Sequence, residues 1–146
     1  MALVASLYHL PPRVLPAIQE VEGGRPGIMH PNTDGTLDLG VMQINTRWLG
    51  SLSRYTHTSG AVVFRRLRDE PCYNIAAAGA IMRNYLDETK GDLLRAVGDY
   101  HSHTIDLNLA YRAQVVDAAR ELFMPGSMPG THRTVLAARM MRQARR

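Results

Sequence analysis

Cysteine is almost missing from this sequence, in which Cys72 is the only one among 146 residues. A single cysteine cannot form a bridge within the chain, so no disulfide framework is available to the fold. A chain of this length can bury a stable core without disulfides or metals. We predict that Cys72 packs as a small buried apolar side chain. The alternative is one half of a bridge whose partner lies outside this sequence.

Long hydrophobic runs are also missing. No stretch of 18 apolar residues occurs, and the sequence therefore predicts no transmembrane helix. Residues 1–7 are mildly apolar, but they lack a basic start and are too few for a convincing signal peptide. The sequence therefore predicts either a cytosolic protein or one whose leader has been removed.

Acidic residues are absent beyond Phe123, although five arginines lie there. Removing those five from the formal charge of +4 leaves −1 for the rest of the chain. We predict a domain at 1–123, and a Pro/Gly linker with an arginine-rich tail at 124–146. A nucleic-acid partner would need a basic face on the domain itself, which the sequence does not offer, so none is expected. The tail either docks to an acidic partner or anionic polymer or lipid, or is simply solvated. Its arginines are Arg133, Arg139, Arg142, Arg145 and Arg146.

Apolar residues recur at helical spacing through most of the chain, and β-type alternation is almost absent. The pattern predicts a mostly α single domain with at most a small hairpin near residues 34–41, where Asp-Gly can form the turn. The segment at 25–38 is rich in Pro, Gly, Asn and Asp and predicts a long loop. A short helix capped by Asn45 or Thr46 is expected to follow. The other predicted helices span 13–22, 61–68, 71–86, 92–100 and 107–123.

Glu22 ends the first predicted helix, just before Gly23 and Gly24. A carboxyl group there can be desolvated from the helix side and reached by a ligand from the loop side. Burial favours its neutral, proton-donating form, and the helix dipole acts in the same direction. The alternative is a solvated surface glutamate, a role for which Glu20 is the better candidate.

Amide and aromatic side chains supply further candidate ligand groups. Residues 40–45 place Val41, Gln43 and Asn45 together, and amides recognise sugar hydroxyl and N-acetyl groups. The alternative is a buried turn whose amides are satisfied by the backbone. Tyr100 and Tyr111 are either sugar contacts or core residues with solvated hydroxyls.

The His-Ser-His segment at 101–103 raises the possibility of a metal site. It has no neighbouring cysteine and no spaced pair of carboxylates, so we expect neither a metal nor a cofactor. Nucleophile-elbow and phosphate-loop motifs are absent from the sequence.

Taken in order, four motifs and one tyrosine resemble the lytic transglycosylases of glycoside hydrolase family 23. The motifs are AIQEVE at 17–22, DLGVMQIN at 38–45, CYNI at 72–75 and AVGDYHS at 96–102, followed by Tyr111. More narrowly, they resemble the small specialised enzymes of conjugation, type III and type IV secretion, and pilus systems. The resemblance spans about residues 10–123.

The resemblance implies a lysozyme-like α domain of the SLT and goose-type lysozyme class, without a cofactor. It implies cleavage of the MurNAc-GlcNAc β-1,4 bond of peptidoglycan, with Glu22 as the single acid and base and a 1,6-anhydromuramic acid product. It further implies a periplasmic or cell-envelope location and partners in a secretion, conjugation or pilus apparatus. The implied substrate-binding residues are Gln43, Asn45, Tyr100, Tyr111 and Met42, with Gly40 and Asn74 as structural support.

Departures from the family pattern keep two alternatives open. Gly23 stands where the family usually has serine, and residues 101–103 replace Asn-Ala-Gly. Members of the subgroup often pair a cysteine at position 72 with an N-terminal cysteine, which this sequence lacks. One alternative is a hydrolytic muramidase in which Asp34 or Asp38 positions water. The other is a non-catalytic peptidoglycan-binding scaffold, in which Gly23 marks lost activity.

Overall fold

The structure is a computed structural model that describes residues 1–124. This part of the chain is a bundle of seven α-helices with a small sheet inserted after the second. The helices are α1 Ala2–Leu7, α2 Val14–Glu22, α3 Leu49–Thr56, α4 Gly60–Asp69, α5 Pro71–Glu88, α6 Leu93–His101 and α7 Ile105–Phe123. The strands are β1 Met29–Pro31, β2 Leu37–Leu39 and β3 Ile44–Asn45, and a 3₁₀ turn, Thr46–Trp48, leads into α3. The prediction of a mostly α, lysozyme-like domain is confirmed.

Helix α5 runs through the core and packs against α1, α2, α4 and α6. Its buried face includes small residues, and α1 approaches it closely at Gly79. A Cβ atom at Gly79 would lie 2.5 Å from Val4 Cγ1 and 2.7 Å from the Tyr8 ring. Helix α1 was not predicted, because Ala5 is the only buried residue in its six and no apolar period is visible.

The predicted helices are found with small shifts at their ends. Ser59 and Asp92 cap α4 and α6, with side chains that accept from the backbone N–H of Val62 and Arg95. Asn45 caps the 3₁₀ turn in the same way, as predicted. The gap between the helices predicted at 92–100 and 107–123 is shorter than expected, because α6 continues through His101 and α7 begins at Ile105.

The sheet is antiparallel in the order β1-β2-β3. Its first two strands form the hairpin expected near Asp34, with Gly35 at φ 82° in the connecting turn. Strand β3 was not predicted, because two residues are too few to show alternation. In the register, Asp38 lies between His30 on β1 and Asn45 on β3. The segment 25–38, which was predicted to be a long loop, therefore contributes polar side chains to a small sheet.

The predicted burial of Cys72 is wrong, because its side chain is exposed on the first turn of α5. Helix α7 ends at Phe123, and the division into 1–123 and 124–146 stays a prediction, since the tail arginines lie outside the described residues. Within residues 1–124, every helix is too short or too polar to cross a membrane.

Candidate active site

A cleft of about 870 Å³ separates the sheet from the α6–α7 pair. Glu22 lies in its lining, together with side chains from the sheet, from α5 and from both helices of the pair. Of the eight residues proposed for the site from the sequence, five line the cleft. They are Glu22, Gln43, Asn45, Tyr100 and Tyr111.

Glu22 is the last residue of α2 and is half-buried. Gly23 ends the helix in the left-handed conformation, at φ 59° and ψ 21°, with its N–H bonded to the Gln19 carbonyl at 2.8 Å. A residue with a Cβ atom costs about 1 kcal/mol in this conformation. Glycine at this position therefore suits the local backbone and gives an unstrained end to the helix that carries Glu22.

Tyr111 holds the Glu22 carboxyl group from the opposite element. Its hydroxyl donates to Glu22 Oε1 at 2.6 Å, which is within the normal range for a hydrogen bond between two oxygen atoms. The side chain is 1% exposed, although its polar end reaches the cleft. Helices α2 and α7 pack closely, which brings together two residues 89 positions apart. Tyr111 thus orients Glu22.

His101 lies over Tyr111. Their rings are nearly parallel, with an interplanar angle of 10° and centroids 4.8 Å apart. His101 is the last residue of α6 and is exposed in the cleft lining. Glu22, Tyr111 and His101 therefore form a row that begins at a carboxyl group and ends at an imidazole.

The amide turn, residues 40–45, is fixed from beneath by Asn74. This fully buried side chain accepts from Met42 N at 2.8 Å and donates to the carbonyls of Leu39 and Leu67 at 2.8 and 2.7 Å. Gly40 has φ 67°, and a Cβ atom there would lie 2.2 Å from Leu67 O. Only glycine fits this position without movement of the backbone, so Gly40 and Asn74 together set the shape of the turn.

Gly24 brings the amide turn against the segment that follows Glu22. A Cβ atom at Gly24 would lie 2.2 Å from Gly40 O and 2.9 Å from Gln43 Nε2. The two backbones therefore touch, which places the turn beside the end of α2. The paired glycines in the sequence indicate a helix stop, but they do not reveal this close contact between Gly24 and the amide turn.

Gln43 is itself in the left-handed conformation, at φ 48°. Its Nε2 donates to Gly40 O at 2.7 Å, and its Oε1 accepts from His30 Nδ1. These bonds hold a nearly buried amide at the edge of the cleft. The alternative of a buried amide satisfied by the backbone therefore holds for the Gln43 nitrogen, whereas the Gln43 oxygen is bonded to a histidine side chain.

Asn45 belongs to a polar network on the sheet. Its Nδ2 donates to Asp38 Oδ1 and Thr36 Oγ1, both at 2.9 Å, and its Oδ1 accepts from Arg47 N. Asp38 Oδ1 also accepts from Asn32 Nδ2 at 3.1 Å. Both amide protons of Asn45 are thus used within the protein, which makes the residue chiefly an organiser of this side of the cleft.

Asp34 lies at the exposed end of the same network. It accepts from Thr36 N and Thr36 Oγ1 at 3.0 and 2.7 Å and pairs with Arg47. The bonds from Thr36, and then the charge of Arg47, lower the pKa of Asp34. Asp34 is therefore a stable carboxylate at the rim of the cleft.

Tyr100 holds the backbone of Met42 through a hydrogen bond. The Tyr100 hydroxyl donates to Met42 O at 3.0 Å. Burial, and then the charge of Glu22, raise the pKa of Tyr100 well above its usual value, so the group stays a neutral donor. Met42 is fully buried and does not line the cleft. Its side chain therefore has no surface for a substrate, and its backbone is the part that serves the site.

An aromatic row lines another part of the cleft and was not predicted. Trp48 and Tyr85 meet edge to face at 5.7 Å, and Tyr85 and His103 at 5.5 Å. Burial, and then the charges of Glu88 and Asp99, raise the pKa of Tyr85 to about 12. The available signal was Trp48, the only tryptophan of the chain.

The two histidines at 101 and 103 do not converge. One stacks on Tyr111, and the other contacts Tyr85 and pairs with Glu88 at 3.9 Å. Among the residues that the structure describes, no group of three or more His, Cys, Asp or Glu side chains could hold a metal ion.

The chain is similar to known proteins over most of its length. The model of the family described as "Transglycosylase SLT domain" matches residues 4–119. Similar curated proteins are those named "Invasion protein IagB" from Salmonella typhimurium strains SL1344 and LT2 and from Salmonella typhi. Each is 26% identical over 121 residues, covering 80% of this chain and 72% of the relative.

Proposed function

This chain belongs to the transglycosylase SLT family and is a peptidoglycan lytic transglycosylase, and from that premise we propose the reaction and its residues. Glu22 is the acid and then the base in cleavage of the bond between N-acetylmuramic acid and N-acetylglucosamine. The product ends in 1,6-anhydromuramic acid. The observation that carries the proposal is the Glu22 carboxyl group in the cleft, held at 2.6 Å by Tyr111.

In the first step, the protonated Glu22 gives its proton to the bridging glycosidic oxygen. The bond from that oxygen to C1 of the muramic acid breaks, and the leaving sugar keeps the proton as its hydroxyl. Tyr111 fixes the direction of the carboxyl group, so the proton donor has one orientation relative to the cleft.

In the second step, the Glu22 carboxylate removes the proton from the C6 hydroxyl of the same muramic acid. The freed oxygen attacks C1 and closes the 1,6-anhydro ring. Glu22 ends protonated, as it began, and no water is consumed. One carboxyl group therefore serves both steps, whereas ordinary glycosidases use two.

The bonding of the other cleft carboxylates supports a route without water. Asp34 is paired with Arg47, and Asp38 accepts from two amide side chains. Asp99 is buried and accepts from Asn108 Nδ2 at 2.8 Å. These contacts give each aspartate a structural role, which makes the muramidase alternative, with Asp34 or Asp38 as a positioner of water, the weaker one.

Substrate contacts are proposed for the groups that reach the cleft. Gln43 and Asn45 present the edge of the amide turn, and Tyr100 and Tyr111 lie on the facing helices. Their bonds to protein atoms make them preorganised groups, which cost little further ordering when a glycan binds. Met42 is proposed to act only through its backbone, which holds Tyr100.

Glu22→Gln tests the assignment, with Glu20→Gln as its matched control. Glu20 lies on the same helix, two residues earlier, and is exposed. Each protein is incubated with purified peptidoglycan, and the soluble fragments are analysed by mass spectrometry. We expect anhydro ends from the wild type and from Glu20→Gln, and no fragments from Glu22→Gln. Undiminished turnover by Glu22→Gln would refute the proposed acid.

We also propose that the enzyme works in the periplasm or cell envelope and opens the wall locally for a secretion, conjugation or pilus apparatus. The support is the similarity to proteins named for invasion. Secretion, DNA transfer or piliation should fail in a host that carries Glu22→Gln.

The arginine-rich tail is proposed to dock to the apparatus or to the wall. Removal of residues 125–146 should weaken association with the apparatus or wall while leaving turnover intact.

A further inference from the structure

His101 has no part in the chemistry proposed above, yet it lies one ring away from it. Its imidazole is parallel to the Tyr111 ring, with centroids 4.8 Å apart, and the Tyr111 hydroxyl bonds to Glu22 at 2.6 Å. His101 is exposed at the cleft, whereas Tyr111 is 1% exposed. A solvent-facing ring therefore covers the residue that orients the proton donor.

The backbone that carries His101 is held firmly. Ser102 N bonds to Gly98 O at 3.0 Å, and the buried Asn108 donates to Asp99 Oδ1 at 2.8 Å. A Cβ atom at Gly98 would lie 2.1 Å from Asn108 Oδ1, so α6 and α7 approach as closely as glycine allows. This junction fixes the end of α6, and with it the starting point of the His101 side chain.

We propose that His101 is a positioning residue that acts through Tyr111. The flat imidazole covers one face of the phenol ring, restricts its rotation and keeps water from that face. The Tyr111 hydroxyl then stays bonded to Glu22, and the carboxyl group keeps the orientation it needs for proton transfer. This inference rests on the proposed role of Glu22.

The contact is specific to this one histidine. His103, two residues on, meets Tyr85 at an interplanar angle of 62° and pairs with Glu88. Of these two histidines, His101 is the one whose ring lies parallel to an aromatic ring and covers its face. The proposed role depends on a flat ring and not on its charge. A phenylalanine side chain at position 101 should therefore serve the same role.

The test measures kcat and KM on a soluble glycan of alternating N-acetylglucosamine and N-acetylmuramic acid. His101→Ala should lower kcat about 3- to 10-fold, the effect expected when one stacked aromatic contact is lost. KM should stay within about twofold of the wild type, since the residue acts on Glu22 and not on the substrate. His101→Phe should restore kcat, and circular dichroism should show both variants folded.

A double-mutant cycle supplies the control. Tyr111→Phe keeps the ring but removes the hydroxyl that His101 is proposed to position. Adding His101→Ala to Tyr111→Phe should therefore cause no further loss of kcat. Wild-type kcat in His101→Ala, a change confined to KM, no rescue by His101→Phe, or full multiplication of the two losses would each overturn the inference. A fully active Glu22→Gln would instead overturn the proposed function, so the two failures are distinct.

Discussion

The two sides of the cleft are built in different ways. The sheet side, residues 32–47 with Asn74 beneath, is a dense network in which Asn74 alone makes three buried hydrogen bonds. On the helix side, the Tyr111 hydroxyl donates to the Glu22 carboxyl group, and the His101 ring stacks on the Tyr111 ring. The first side specifies a shape, whereas the second sets the direction of a single reacting group.

This difference separates stability from catalysis. Substitutions on the sheet side should remove buried hydrogen bonds and lower the free energy of unfolding. Substitutions on the helix side should leave the fold intact and lower kcat, because a small displacement of a proton donor is costly in rate.

The largest effect on stability is expected for Asn74→Ala. It leaves Met42 N and the carbonyls of Leu39 and Leu67 without their partner, at about 1 kcal/mol for each bond, so the total loss should be ~3 kcal/mol. Urea unfolding gives the value. Asn84→Ala is the control, because Asn84 is exposed on the same helix and bonds only to Glu88 in the described structure. Equal losses in the two variants would contradict the account.

Gly24→Ala should disturb both sides at once. The added Cβ atom would lie 2.2 Å from Gly40 O, which is a backbone atom, so the segment after Glu22 must move from the amide turn. We expect a loss of roughly 1–3 kcal/mol in unfolding free energy, as for other overpacked sites, together with a fall in kcat. Gly27→Ser is the control, because no atom lies within 4 Å of a Cβ atom there. Its left-handed φ of 79° adds some strain, but it should preserve kcat.

Tyr111→Phe should change the rate and not the fold. It removes the hydroxyl that donates to Glu22 and keeps the buried ring with its stack on His101. We expect kcat to fall about 10- to 100-fold, as for a lost hydrogen bond to a charged group, with a nearly unchanged melting temperature. Tyr100→Phe, which loses a bond to the Met42 carbonyl, should reduce kcat less. The reverse order would show that the helix side is assigned incorrectly.

The smallest effect is expected for Asp34→Asn at the exposed rim of the sheet side. Thr36 and Arg47 lower the pKa of Asp34, so its contribution to stability is present above the pKa of the unfolded chain. It disappears as the pH falls through the lower folded value. Melting temperatures of the wild type and the variant should differ slightly at pH 7, and the difference should shrink as the pH falls below the ordinary range of an aspartate pKa. A gap that widens in acid would contradict this assignment.

The sequence could predict elements that are marked by hydrophobic periodicity over several turns, or by a capping or helix-stopping residue at one end. The periods of α5, α6 and α7, the glycine stop after Glu22 and the cap at Asn45 were all visible in it. What it could not show depended on tertiary contact: α1 is held through Gly79, and Gly24 fits against Gly40. Met42 was expected at the substrate but lies in the core, and Cys72 was expected in the core but is exposed. In both cases the residue type did not predict whether the side chain would be buried, because burial depends on which other elements pack against it.

Water labelled with oxygen-18 gives the most direct test of the central claim, that one carboxyl group cleaves the glycan without water. Peptidoglycan is digested by the wild-type enzyme in H₂¹⁸O, and the new ends are weighed by mass spectrometry. The account predicts anhydromuramic ends without the heavy isotope, because the C6 oxygen of the substrate closes the ring. Reducing ends that carry one oxygen-18 at C1 would contradict it and would direct attention to Asp34 and Asp38 as positioners of water.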